Sequence, residues 1–174
     1  MFCNFAVFLF GDVLMSCDLN IRFAKREDAG IVLEFIKKIA EYEKMSDQVV
    51  NTEQMIQQVV FDNHAAEVIL AEVEGKPVGF ALFFQNYSTF VGKSGIYLED
   101  LFVDPDMRGK GIGKALIQKI FAIALERNCS RVEWCCLDWN TPSIDFYKYL
   151  GAKPMSEWTT YRLAGADIKS ALEK

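Results

Sequence analysis

The sequence predicts an α/β domain built on a mixed sheet, and three observations carry that expectation. Segments with strand-like alternation are interleaved with segments whose apolar residues repeat at about 3.6 positions. The turn Glu74-Gly-Lys-Pro77 joins two apolar runs, Glu67 to Val73 and Val78 to Gln85, as a hairpin. A long apolar strand, a glycine-rich loop and an amphipathic helix then follow one another from Ile96 to Ala124.

Taken in order, Ile21 to Ala24 reads as the first strand, and Asp28 is placed to cap a helix with the apolar stripe Val32, Phe35, Ile36 and Ile39. Thr52 is expected to cap a second helix carrying Met55, Ile56, Val59 and Val60. After the hairpin comes the long central strand, Gly95 to Asp104. The helix beyond the glycine loop carries Ile112, Ala115, Leu116, Lys119, Ile120, Ile123 and Ala124, a stripe in which Lys119 takes one position. Arg131 to Leu137 is expected as a strand, followed by a short helix started by Thr141-Pro142 and ended by Gly151, and then by a last extended segment, Trp158 to Leu163.

The loop Arg108-Gly-Lys-Gly-Ile-Gly-Lys114 is the most informative segment. Successive glycines let backbone N–H groups turn toward one point without Cβ obstruction, and the helix behind them adds N–H donors and the positive end of its dipole. This is a cradle for a polyphosphate. It is not a P-loop: Gly113-Lys114 is followed by Ala115 where a Mg²⁺-binding hydroxyl is needed, and Arg108 stands where the first glycine belongs. The spacing G-x-G-x-G, past the middle of the chain, also departs from the dinucleotide fingerprint.

The segments Tyr97-Leu-Glu-Asp-Leu-Phe-Val103, Arg108-Gly-Lys-Gly-Ile-Gly113 and Asn140-Thr-Pro-Ser-Ile-Asp-Phe-Tyr-Lys-Tyr-Leu-Gly-Ala152, in that order, resemble the GNAT superfamily of acetyl-CoA-dependent N-acetyltransferases. Within it the chain is most similar to the diamine (spermidine/spermine, thialysine) acetyltransferase group, which also has Tyr-Glu near the end of its first helix, here Tyr42-Glu43. The likeness runs roughly from Ile21 to Leu163. It implies a single-domain GNAT-like fold, whose mixed, mostly antiparallel central sheet is splayed at the cofactor site and flanked by helices. It also implies acetyl-CoA as cosubstrate, no metal, and a homodimer.

The resemblance assigns roles residue by residue. The backbone of Leu101, Phe102 and Val103, in a stretch that commonly carries a bulge, pairs with the pantetheine amides, and an amide there can polarise the thioester carbonyl. Arg108, Gly109, Lys110, Gly111, Ile112, Gly113 and Lys114 hold the pyrophosphate, with Asn140 and Ser143 also near the cofactor. Glu99 binds the amine and accepts its proton through water, and Tyr147 returns a proton to the departing thiolate. Tyr42 and Glu43 stand at the acceptor entrance.

Each of these residues also has an ordinary reading. Leu101, Phe102 and Val103 have the pattern of core residues, Tyr147 that of a packing aromatic, and Asn140 and Ser143 that of helix-start residues. Glu41, Tyr42 and Glu43 could be a solvated helix end. Glu99 and Asp100 are harder to dismiss. They lie inside an apolar strand whose period of two sends them to opposite faces, so at least one should be buried or face a cleft, where a carboxylate needs a partner. Of the two, Asp100 is the one expected to have a structural partner.

Elimination narrows the chemistry. His64, in the loop-like Asp62-Asn-His-Ala, is the one histidine, so neither a histidine base nor a His-rich metal centre is expected. A thioester is already activated; the obstacle is the amine's proton. At a pKa near ~10.4 an alkyl ammonium is neutral about one part in 10³ at neutral pH, a penalty of roughly 4 kcal/mol that a carboxylate can relieve directly or through water.

Composition sets the remaining bounds. A chain of 174 residues, 51% hydrophobic, can bury a substantial core, and no linker or low-complexity run divides residues 15–174. Residues 1–14 are apolar without the basic start of a signal peptide and too short to span a bilayer; they read as an appendage from an upstream start codon, or as a segment packed on the domain or a partner subunit. Net charge of −5 disfavours nucleic acid, and no membrane partner is expected. Five cysteines without a C-x-x-C pair indicate a reducing, cytoplasmic setting. The expected function is acetyl transfer to a small-molecule primary amine, a di- or polyamine or a lysine-like amino acid. The alternatives are a protein-lysine or N-terminal acetyltransferase and a non-catalytic CoA-binding regulatory domain.

Overall fold

The computed structural model describes residues 18–173, so the segment 1–14 lies outside the described residues. The chain divides into two compact units after Cys135.

The first unit is organised by a five-stranded sheet in the order β1 (Leu19–Phe23), β2 (Glu67–Val73), β3 (Lys76–Ser88), β4 (Lys93–Val103) and β5 (Val132–Glu133). The first three pairings are antiparallel and β4 with β5 is parallel, so the sheet is mixed and mostly antiparallel as expected. The β2–β3 hairpin closes between Val73 and Lys76. Glu74 and Gly75 both have positive φ, 52° and 75°, which makes the twist of this tight turn match that of the strands it joins.

Helices cover both faces. Helix α1 (Ala29–Tyr42) and the short α2 (Glu53–Ile56) place Ala29, Val32, Phe35 and Ile56 on Val68, Leu70, Phe80 and Phe102. The Phe35 and Phe80 rings stack at 5.3 Å. Helix α3 (Ile112–Glu126) packs on the other face, burying Ile112, Leu116, Ile117, Ile120 and Ile123. Ile117, outside the stripe read from the sequence, is fully buried. Gly79 permits the close approach of β3, β4 and α3, since a Cβ there would stand 2.8 Å from the Phe102 carbonyl oxygen.

Two irregularities shape β4. Leu82 pairs with Asp100 but Phe83 pairs with Leu98, so Glu99 is an extra residue, a β-bulge that resets the alternation. Asp100 and Phe102 therefore share the α1 face with Phe80 and Leu82, and beyond the bulge Tyr97 returns to that face opposite Phe84. Second, β5 is far shorter than the expected Arg131–Leu137. Its pairing ends at Tyr97 with Glu133, while β4 runs on to Val103.

Other expectations need correction. Asp28 does precede α1, but its carboxylate makes no cap bond to the helix. It accepts instead from the Lys25 amide at 2.7 Å and from the two terminal Arg22 nitrogens at 2.6 and 2.9 Å. Charge attraction to a guanidinium overrides the weaker cap. The Thr52 hydroxyl does cap α2, accepting from the Met55 amide at 3.2 Å. The helix then widens over Gln57–Asp62 into a π-helical run that closes with Asn63 N–H on the Gln58 carbonyl.

In the second unit, helix α4 (Thr141–Tyr149) starts where expected, with Pro142 in its first turn, and Gly151 at φ 86° follows its end. A further short helix, α5 (Ala166–Ala171), follows, in a segment for which the sequence predicts no element. Trp158 to Leu163 forms no strand, and Trp158 and Tyr161 are 75% and 91% exposed.

Candidate active site

The glycine loop joins a short 3₁₀ turn, Pro105–Met107, to α3. Gly109 and Gly111 have φ of 74° and 81°, in the left-handed region that suits glycine, and a Cβ on either would meet no atom within 4 Å. The space beside the loop is open. Gly111 is the N-cap of α3, whose first bond runs from Ala115 N–H to the Gly111 carbonyl, so the amides of Ile112 and Gly113 precede the helical ladder. Arg108, Lys110 and Lys114 are exposed around this loop. Alternating positive-φ glycines, a helix start and a basic rim fit the pyrophosphate of acetyl-CoA.

The edge of β4 fits the rest of such a ligand. Among the described residues β5 pairs with β4 only at Ile96 and Tyr97, while β4 runs on to Val103, and Phe102 and Val103 bury their side chains. The burial of the Phe102 and Val103 side chains agrees with the ordinary reading of these residues as core, and it is compatible with a separate role for their backbone.

The bulge sets two carboxylates in different surroundings. Glu99 is exposed, whereas Asp100 is largely covered and has no hydrogen-bond or ion-pair partner among the described residues. Burial first, then the Glu99 and Glu43 charges, push the Asp100 carboxyl up to about 7. Glu43 sits at the end of α1, and burial raises its carboxyl too. The sequence predicts a structural partner for Asp100; among the described residues there is none, and the charges that act on Asp100 are those of Glu99 and Glu43.

Arg108 ties this cluster to the glycine loop. Its guanidinium lies 4.9 Å from the centre of the Tyr42 ring and 5.4 Å from that of Phe102, and its Nε donates to the Val103 carbonyl at 3.0 Å. Lys38 on α1 reaches the same strand end, with Nζ 2.7 Å from an Asp104 carboxylate oxygen. The end of α1, the end of β4 and the loop are thereby held as one block.

The second unit gathers the other candidates on α4. The Asn140 side-chain oxygen accepts the Ser143 amide at 3.4 Å, so Asn140 serves as a helix cap. Tyr147 lies four residues beyond Ser143 on the same helix face, with its ring 5.5 Å from that of Phe146. Among the described residues no group of His, Cys, Asp and Glu has the arrangement of a metal site.

Comparison with known proteins agrees with this geometry. The model of the Acetyltransferase (GNAT) family matches residues 34–152, most of the chain and parts of both units. The chain belongs to this family. It is 39% identical over 166 residues to a thialysine N-epsilon-acetyltransferase of Sus scrofa, an alignment covering 88% of this chain and 97% of that protein. An L-ornithine N5-acetyltransferase of Arabidopsis thaliana is 43% identical over 96 residues, covering 55% of this chain and 42% of the relative. Among solved structures, an integron cassette protein from the mobile metagenome of V. cholerae superposes with a TM-score of 0.75 at 28% identity, covering 90% of this chain and 98% of that one. This GNAT chain is therefore an N-acetyltransferase with the single-domain GNAT-like fold of its family.

Proposed function

We propose that this GNAT enzyme transfers the acetyl group of acetyl-CoA to a primary amine of a small molecule, a di- or polyamine or a lysine-like amino acid. The observation that carries this reading is the carboxylate cluster at the β4 bulge, tied by Arg108 to the glycine loop. Relatives named for thialysine and ornithine acetylation support the acceptor class.

The backbone of Gly109, Gly111, Ile112 and Gly113 would hold the pyrophosphate and the edge of Leu101 to Val103 the pantetheine arm, while acetyl-CoA supplies an activated thioester. Glu99 and Asp100 attract the ammonium and draw off one proton, directly or through water. A carboxyl that titrates near 7 is well matched to that work at neutral pH. The neutral nitrogen attacks the thioester carbonyl and the N–C bond forms as the C–S bond breaks; Tyr147 gives its phenol proton to the departing thiolate and is restored by the second proton the nitrogen sheds, so the products are the amide, the thiol and the one proton first drawn off. Tyr42 and Glu43 border the acceptor.

We also read the enzyme as a cytoplasmic homodimer without nucleic-acid or membrane partners. Cys129, Cys135 and Cys136 are free thiols, and large apolar side chains such as Phe90 and Tyr161 are exposed. The test of function is thiol release from acetyl-CoA with purified protein and a panel of diamines, polyamines, basic amino acids and peptides. Small-amine turnover is expected. Turnover on peptides alone would indicate a protein acetyltransferase, and binding without turnover a regulatory domain.

A further inference from the structure

The core under α1 and α2 ends at Leu82 and Phe102. Beyond it, on the same face of the sheet, lies a row of side chains that the transfer chemistry does not use. Phe84 and Tyr97 stack at 5.1 Å as an aromatic floor, and Glu133 pairs with Tyr97 across the β4–β5 junction. Asn86 Nδ2 donates to Glu133 Oε2 at 3.1 Å, and Arg131 Nε sits 2.8 Å from the same oxygen. Gly95 makes room for this group: a Cβ there would run into the Asn86 side-chain oxygen and the Arg131 side chain.

This group is incomplete as it stands. Asn86 Oδ1 is buried without a donor, the one such side-chain atom among the described residues. The contact to Glu133 uses Arg131 Nε, so the two outer nitrogens of the guanidinium fork have no partner among the described residues, and the Arg131 side chain is 38% exposed. A guanidinium presenting its outer donors suits a carboxylate, which it binds by two parallel hydrogen bonds. Glu133, also partly exposed, can hold a cation beside it.

We propose that this row is a subsite for the α-amino-acid end of the acceptor, with Arg131 on the α-carboxylate and Glu133 on the α-ammonium. The methylenes would lie along Phe84 and Tyr97, and the reacting amine would reach Glu99 and Asp100. Gly95, beside which the Arg131 side chain lies, is four residues from Glu99, about 13 Å of strand at ~3.3 Å per residue. The subsite rests on the small-amine reading above and narrows it, because a simple diamine has no group for Arg131 to bind.

Ornithine and putrescine separate the possibilities, since they differ only by the α-carboxylate. Calorimetry on the full chain should give ornithine a Kd at least tenfold below that of putrescine, and kcat/KM should favour ornithine likewise. Arg131→Met should reduce both ratios at least tenfold. Arg131→Lys keeps the ion pair with Glu133 without the planar fork and should give an intermediate loss, with acetyl-CoA affinity unchanged as the sign of an intact fold. Equal affinities in the parent, or ratios unmoved by either substitution, would overturn the subsite. Preferential ornithine binding without acetylation would uphold it and refute the proposed reaction instead.

Discussion

At the scale of single residues, Asp100 is the group whose chemistry and stability pull in opposite directions. Its carboxyl keeps a proton up to about pH 7 in the folded chain but only to the ordinary carboxylate range when unfolded. Between those values the folded state binds more protons, so stability falls as pH rises through the window. Asp100→Asn removes that penalty. Urea unfolding should find the variant more stable than the parent by on the order of 4 kcal/mol above about pH 7.5, with the two converging near pH 4. A variant less stable at every pH would make Asp100 an ordinary structural residue. Tyr147→Phe keeps the ring and deletes the hydroxyl. As general acid its loss should lower kcat by ~10² or more with little change in acetyl-CoA affinity. A kcat within about twofold of the parent, measured where chemistry limits turnover, would leave Tyr147 a packing aromatic.

At the scale of elements, the glycine loop and the bulge differ in how visible they are in the sequence. The loop could be read because Gly109, Gly111 and Gly113 are residues whose function is conformational, and two of the three do take positive φ. The bulge could not, because Leu98-Glu-Asp100 contains no glycine or proline to mark it. Arg131 to Leu137 and Trp158 to Leu163 have strand-like composition, but strands are completed by distant partners, and pairing with β4 ends at Glu133. The loop reading has a matched control. Gly111 and Gly75 have φ of 81° and 75°, and a Cβ on either meets nothing within 4 Å, so Ala at each costs a similar ~1–2 kcal/mol of backbone strain. Only Gly111→Ala should raise the acetyl-CoA Kd, by tenfold or more. Equal effects on the cofactor, or none, would remove the cradle.

At the scale of the whole molecule, the family match from residue 34 to residue 152 takes in the carboxylates and glycine loop of the first unit and the α4 candidates of the second. The overall class and order of elements could be read from the chain because periodicity and turn chemistry are local. The carboxylate arrangement could not, because it depends on strand register and on where α1 ends. The proposed dimer predicts twice the chain mass by light scattering at assay concentration, and a monomeric mass would remove it. The proton-transfer proposal is tested most directly by the pH dependence of kcat/KM for a small primary amine at saturating acetyl-CoA, with parent, Asp100→Asn and Glu99→Gln compared side by side. The parent should gain activity through an apparent pKa near 7 that is lost in Asp100→Asn. Asp100→Asn should fall behind as pH rises through about 7, where the parent's carboxylate becomes available, and Glu99→Gln should fall furthest behind at low pH, where the free amine is scarcest. Profiles of the same shape in all three proteins would contradict a role for these carboxylates in taking the amine's proton.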